Sequence, residues 1–278
     1  MLKTTLLAIL LVCSITSFKT KEITWTAIGD SITYLNDHPN ETGNRITKGY
    51  MTMVTEKLPN IHYFNQGHNG WTTVGIAKSI ETLGIQKSDI YSIFLGTNDW
   101  WAGLPLGTIT DYTNNTGIGT TFGAYRIIID KIRSLNANAS IVLITPLQRS
   151  DFVYVGNGRN NAYGSYKDKK GQNLSQFAAA VKEIAALENF SVVDLYNKRS
   201  LRLEKQVNFK RLKNPQTGSY ENYKYPKFID IPYNPDSDEY PYPMEAINTT
   251  YDGLHPSDKG YEVISSMLIK VFKKQVRN

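Results

Sequence analysis

The chain has 278 residues, 41% hydrophobic and 20% charged, which is ordinary globular composition and enough for one large domain with a single core. Its net charge of +6 comes from basic residues scattered without a dense stripe, which argues against a nucleic-acid partner and is compatible with an acidic substrate.

The first segment, "MLKTTLLAILLVCSITSFK", has one early lysine, an apolar run from Leu6 to Val12 and then small polar residues. The run is too short to span a bilayer and has the layout of a secretory signal, predicted over residues 1–17. Its removal takes Lys3 and no acid, so +6 becomes +5 and no stable membrane span remains. A secreted or periplasmic protein is expected. Cys13, the only cysteine, lies in this segment. It admits a lipid anchor as an alternative, which the bulk of Val12 before it disfavours. Without Cys13 the remaining chain has neither disulfides nor thiolate chemistry.

Next come short apolar runs separated by longer stretches of helical period. Strands are predicted at Ile23–Gly29, Ile61–Asn65, Ile90–Gly96, Ser140–Pro146 and Ser191–Tyr196. Helices are predicted near Gly49–Leu58, Thr73–Leu83, Thr121–Leu135 and Leu174–Glu188. In the fourth, Leu174, Phe177, Ala178, Val181, Ile184 and Ala185 share one face. Arg199–Lys213 reads as a charged surface helix. From Asn214 to Tyr251 there are six of the eleven prolines and seven of the eighteen tyrosines. That density excludes a long helix or a central strand. The segment reads as an extended insertion over the strand-5 side of the sheet. A last helix starts after "HPSD", with Tyr261, Ile264, Leu268, Val271 and Phe272 as its buried stripe. Alternating βα units with strands apolar throughout predict a parallel sheet of about five strands, covered by helices on both faces. Ligands in such sheets bind beyond the carboxyl ends of the strands.

Four polar, glycine-containing turns fall at that edge: "GDSIT" after strand 1, "NQGHNGW" after strand 2, "GTNDWW" after strand 3 and "YDGLHPSD" before the last helix. Each alone reads more readily as a structural turn. Together they supply a serine, a histidine to take its proton, and an aspartate three residues away to hold the imidazole in one tautomer. The backbone N–H groups of Ser31 and Gly67 and the side-chain amide of Asn98 suit a developing oxyanion.

In order and content these blocks resemble the SGNH (GDSL-type) hydrolase superfamily. The resemblance runs through residues 23–272, although "GDSIT" lacks the leucine of the family's name and His68 is bulky and polar for its block. It implies a flavodoxin-like three-layer α/β/α sandwich. It also implies Ser31 as nucleophile, Asp252 and His255 as the rest of the triad, and Gly67 and Asn98 as oxyanion donors beside Ser31.

Trp71, Trp100 and Trp101 follow the two oxyanion turns. Each alone is as readily a packing residue, but three at one site suggest flat faces for sugar rings. Tyr251 would end the insertion as another wall. Arg149, just past strand 4, reads as a solvated charge or as the partner of a substrate carboxylate. Asp30 reads as a turn acid and His62 as a half-buried strand residue. His38, near Asp37 and Glu41, lacks regular ligand spacing, so no metal is predicted. No phosphate-binding glycine motif occurs, so no cofactor is predicted either.

The expected activity is a serine esterase removing a short acyl group, acetyl first, from a glycan or small-molecule ester. A lipase, lysophospholipase or thioesterase acting on longer chains would use the same residues. The loops after strands 3 and 4 are rich in Gly, Asn, Thr, Tyr and Trp, the opposite of an acyl-chain tunnel. A non-catalytic glycan-binding protein is the reading from another class, and the intact triad argues against it.

Overall fold

The computed structural model describes residues 21–275, so the expected leader and Cys13 lie outside the described residues. In chain order the main elements are β1 (Ile23–Gly29), α1 (Ser31–Tyr34), α2 (Tyr50–Lys57), β2 (Ile61–Gly67), α3 (Thr73–Ser79), β3 (Ile90–Phe94), α4 (Thr97–Ala102), α5 (Ile109–Thr113), α6 (Thr121–Leu135) and β4 (Ser140–Ile144). They continue as β5 (Phe152–Tyr154), β6 (Asn157–Ala162), α7 (Leu174–Glu188), β7 (Ser191–Val193), β8 (Lys210–Lys213), β9 (Tyr220–Tyr223) and α8 (Asp258–Gln275). Among the described residues no helix is long and apolar enough to cross a membrane.

Five strands form a parallel sheet in the order β2-β1-β3-β4-β7. Successive strand side chains point to opposite faces, and this period sorts the core into two halves. Trp25 and Ala27 of β1, with Val142 and Ile144 of β4, face α2 and α8, where Tyr50, Met51, Tyr261, Ile264 and Phe272 pack. Ile28, Ile93 and Leu143 face the other way, against Ile76 of α3, Ile128 of α6 and Val181 of α7. The result is the three-layer α/β/α sandwich. Trp25 is fully buried, and its indole N–H is satisfied by Ser92 Oγ at 2.9 Å, so the core keeps its shape without an orphaned donor.

The helices on the second face begin where the chain supplies caps. Thr120 accepts from Gly123 N to start α6, and Asn173 with Gln176 forms a capping box for α7. Both elements have the predicted limits. Strand limits differ at the site edge. β2 runs on to Gly67, whereas β3, β4 and β7 stop at Phe94, Ile144 and Val193. Register aligns the carboxyl ends: Gly29 pairs with both Gly67 and Phe94, and Phe94 with Ile144. The turns leaving β1, β2 and β3 therefore emerge side by side.

Arg199–Lys213 is not a helix. It makes two short 3-10 turns, Arg199–Leu201 and Leu203–Lys205, and then becomes β8, paired antiparallel with β9. The local charge pattern hid a pairing partner about ten residues further on. Lys210 is buried at the start of β8, with its ammonium 3.0 Å from Asp151. The Tyr/Pro-rich stretch packs through Phe228, Tyr242 and Ala246 against Val153, Val207 and Leu212. The Tyr240 hydroxyl donates to Val153 O at 2.8 Å, so the stretch covers the segment that follows β4. His62 is exposed beside Glu22 at 2.7 Å, because β2 is an edge strand.

Candidate active site

Strand β1 ends at Gly29, and Asp30 caps the short helix α1 by accepting from Ile32 N at 3.0 Å. Ile32 and Thr33 are buried and fix the turn from below, with Thr33 Oγ1 2.9 Å from the Tyr50 hydroxyl. Ser31, first in the helix, is left half-exposed. Gly67 abuts this turn so closely that a Cβ there would lie 2.1 Å from Tyr34 N. Any side chain at Gly67 would push the serine turn outward.

The opposite side of the site comes from the loop before α8. Asp252 is wholly buried and accepts from Leu254 N at 3.0 Å and His255 N at 2.8 Å through one oxygen. The other oxygen lies 2.7 Å from His255 Nδ1. His255 Nε2 is 2.8 Å from Ser31 Oγ, across 224 positions of sequence. Gly253 makes the tight loop possible: its φ is +91° and a Cβ would meet Asp151 O at 2.0 Å. Tyr251 stacks on the imidazole at 5.8 Å between centroids, and Phe152 meets it edge-on at 5.5 Å.

Charge around the imidazole is arranged to favour the proton. Burial opposes it, but the charge and hydrogen bond of Asp252, helped by Asp30, outweigh burial and the opposing Arg149. His255 is therefore raised above an ordinary histidine. Burial pushes the Asp30 carboxyl up to about 6, partly offset by Ile32 N and His255. Asp99 is also raised by burial, despite bonds from Thr73 N at 2.8 Å and Thr73 Oγ1 at 3.0 Å. These bonds tie the starts of α3 and α4 together beneath Asn98.

The two other expected donors are placed differently from each other. Asn98 faces the cavity, with Nδ2 3.0 Å from Trp71 O and 3.5 Å from Asp30 Oδ2. An amide carries two N–H groups, and the long contact to Asp30 is the one that an oxyanion would have to replace. The N–H of Gly67 already donates to Asn65 Oδ1 at 2.9 Å, and a second acceptor would have to share it.

Ser31, Asn98 and His255 line a cavity of about 390 Å³ together with Trp101 and Arg149. Trp100 and Tyr251 do not form its walls: both have no exposure. The Trp100 indole donates inward to Gln172 O at 2.9 Å, and Tyr251 packs behind His255. Trp71 stacks on His68 at 4.6 Å and lies outside the cavity lining, and burial holds the His68 pKa down. Arg149 is 2% exposed, so it is no solvated surface charge.

Sequence reasoning missed the β5–β6 hairpin, which supplies Phe152, Tyr154 and Asn160 to the cavity. The signal was present in "FVYVGNG", a run of strand-forming Phe, Val and Tyr broken at Gly156, which with Val155 makes the turn. Among the described residues no group of three or more His, Cys, Asp or Glu side chains is placed to hold a metal ion.

A serine, a histidine and an aspartate thus stand hydrogen-bonded at the carboxyl edge of a parallel sheet layered between helices. The model of the GDSL-like lipase/acylhydrolase family matches residues 27–263, and the chain belongs to that family of ester-bond hydrolases. A structure from Chitinophaga pinensis DSM 2588, described as a possible lipase, is 59% identical, covering 91% of this chain and 99% of its own with a TM-score of 0.91. A protein from Lactobacillus plantarum is 17% identical over 92% of this chain and 99% of its own, with a TM-score of 0.60. A carbohydrate esterase family 3 protein from Talaromyces cellulolyticus is 15% identical over 92% and 98%, with a TM-score of 0.50. The last two share the fold alone. No curated protein matches the chain.

Proposed function

We propose that the chain is a serine esterase that removes short acyl groups, acetyl foremost, from a carbohydrate. The observation that carries the reading is the unbroken line from Asp252 through His255 to Ser31, which opens on a cavity whose walls mix asparagines with apolar side chains.

With Nδ1–H donated to Asp252, the Nε2 lone pair faces the Ser31 hydroxyl. As Ser31 Oγ bonds to the acyl carbon, its proton passes to Nε2 and the carbonyl electron pair moves onto oxygen. Asn98 Nδ2–H, the Ser31 N–H and a shared Gly67 N–H stabilise that oxyanion. Collapse breaks the bond to the alcohol oxygen, which leaves with the proton from His255. Water then attacks the acyl-enzyme by the same steps and frees the acid.

Asn69, Asn98 and Asn160 at the cavity support an alcohol moiety that presents hydroxyl groups. The apolar patch of Leu35, Phe152 and Leu254 is short and favours a small acyl group. A lipase acting on long chains is the competing reading, and the description of the Chitinophaga pinensis relative favours it.

Two measurements test the proposal. Ser31→Ala should abolish covalent labelling by an organophosphonate together with turnover, and labelling retained at another serine would refute the nucleophile. A chromogenic ester series from acetyl to octanoyl, run beside acetylated polysaccharides, should favour acetyl and release acetate from the polymer. A preference for octanoyl would establish the lipase reading instead.

A further inference from the structure

Arg149 follows β4 and lines the same cavity as Ser31 and His255, yet it is only 2% exposed. Its Nη2 donates to Tyr163 O at 2.9 Å, while its buried Nε has no acceptor. Among the described residues Arg149 enters no ion pair. The acids nearby are committed elsewhere: Asp151 holds Lys210 at 3.0 Å and the Tyr166 hydroxyl, and Asp252 holds His255. Glu41, the acid in the cavity lining, takes the Tyr34 hydroxyl at 2.9 Å.

The guanidinium lies 4.9 Å from the Trp100 ring centroid and 4.6 Å from that of Trp101. Lys169 Nζ adds a second positive charge 3.8 Å from the Trp101 ring centroid. Burial lowers the pKa of Arg149 only to about 10, so the group is charged at neutral pH. A buried cation without an anionic partner is costly to the folded chain. The Trp100 ring, held inside by Leu174, Phe177 and the indole bond to Gln172 O, supports this cation from beneath.

We infer that Arg149 is an anion subsite, and that the natural ester carries a carboxylate on its alcohol part which docks there while the acyl carbon meets Ser31. This rests on the short-acyl glycan reading and narrows it to acidic glycans, in which the sugar itself bears the carboxylate. A short acyl group has no room for the charge, so the charge belongs to the leaving alcohol. A planar guanidinium with unused N–H groups suits a carboxylate better than a point cation would. The net positive chain favours approach of such a polymer.

The test begins with p-nitrophenyl acetate turnover by the full chain in the presence of glucuronate, glucose or glutarate. Glucuronate and glutarate should compete, glucose should not, and added salt should weaken both carboxylates. Arg149→Gln should raise their inhibition constants roughly 10- to 100-fold, the loss expected for one charge-assisted contact, while Arg149→Lys keeps part of the effect. In parallel, an O-acetylated methyl glucuronoside should be hydrolysed in preference to the matching O-acetylated glucoside, and Arg149→Gln should collapse that ratio.

Lack of inhibition by either carboxylate in the unaltered protein, equal inhibition by glucose, or inhibition that Arg149→Gln leaves unchanged overturns the subsite. Carboxylate inhibition that depends on Arg149, with neither acetylated sugar turned over, supports the subsite and removes the glycan reading instead.

Discussion

Asp252→Asn separates two jobs done by one side chain. One Asp252 oxygen accepts from Leu254 N and His255 N and so holds the loop, and the other accepts from His255 Nδ1 at 2.7 Å. The amide keeps an oxygen for the loop but turns an N–H₂ toward Nδ1. Nδ1 must then accept, so the imidazole carries its proton on Nε2, facing Ser31 Oγ at 2.8 Å. A histidine in that tautomer has no lone pair for the serine proton. The expected loss in kcat is ~10⁴-fold, the size associated with a wrong-tautomer histidine in serine hydrolases. Asp252→Ala should be milder: it removes the anion but imposes no tautomer, and a backbone carbonyl can partly orient the ring. The assay is kcat and kcat/KM for p-nitrophenyl acetate across about pH 5 to 9, with melting temperatures recorded beside them. His255 works as a base only when neutral, and Asp252 raises its pKa against the effect of burial. The acidic limb of wild-type activity should therefore move to lower pH when the charge is removed. A loss under about tenfold with an unmoved limb, or a larger loss for Asp252→Ala than for Asp252→Asn, would refute the reasoning.

Asn98→Ala removes an amide aimed at charge that exists only in the transition state, so kcat should fall roughly 10²–10³-fold while KM moves little. An unchanged kcat with a raised KM would make Asn98 a ground-state binding group. For Asp30, burial raises the folded pKa from 3.8 to about 6, so folding favours the protonated form. That contribution is complete below pH 3.8 and is lost as pH rises through about 6. Asp30→Asn cannot ionise, so its melting temperature relative to wild type should climb across that window, and a difference independent of pH would remove this account.

Features that depend on neighbours in sequence were readable, and those that depend on distant partners were not. The helices Thr121–Leu135 and Leu174–Glu188 carry their caps and apolar stripes within themselves, and both were predicted to the residue. The parallel order could be inferred because strands apolar on both faces require helices on both sides. Lys210 shows the contrary case. Nothing in "NFKRLKN" tells a lysine bound for solvent from one bound for Asp151, 59 positions earlier. Charge density then favours the wrong answer, a surface helix.

The site divides along the same line. Ser31, Asp252 and His255 could be singled out because each sits in a turn of unusual composition and a proton relay would need those residue types together, and they lie within hydrogen-bond distance in the fold. The walls are different, since an aromatic residue beside a strand end can turn either way, and composition does not say which. Trp101 lines the cavity, while its neighbour Trp100 is sealed inside with its indole bonded to Gln172 O. What separates them is the start of α7, where Leu174 and Phe177 cluster with Trp100 beside Gln172. Arg149 lies against both rings and so does not distinguish them. The choice therefore depends on a contact spanning 72 positions, and no window of the sequence around the tryptophans contains it.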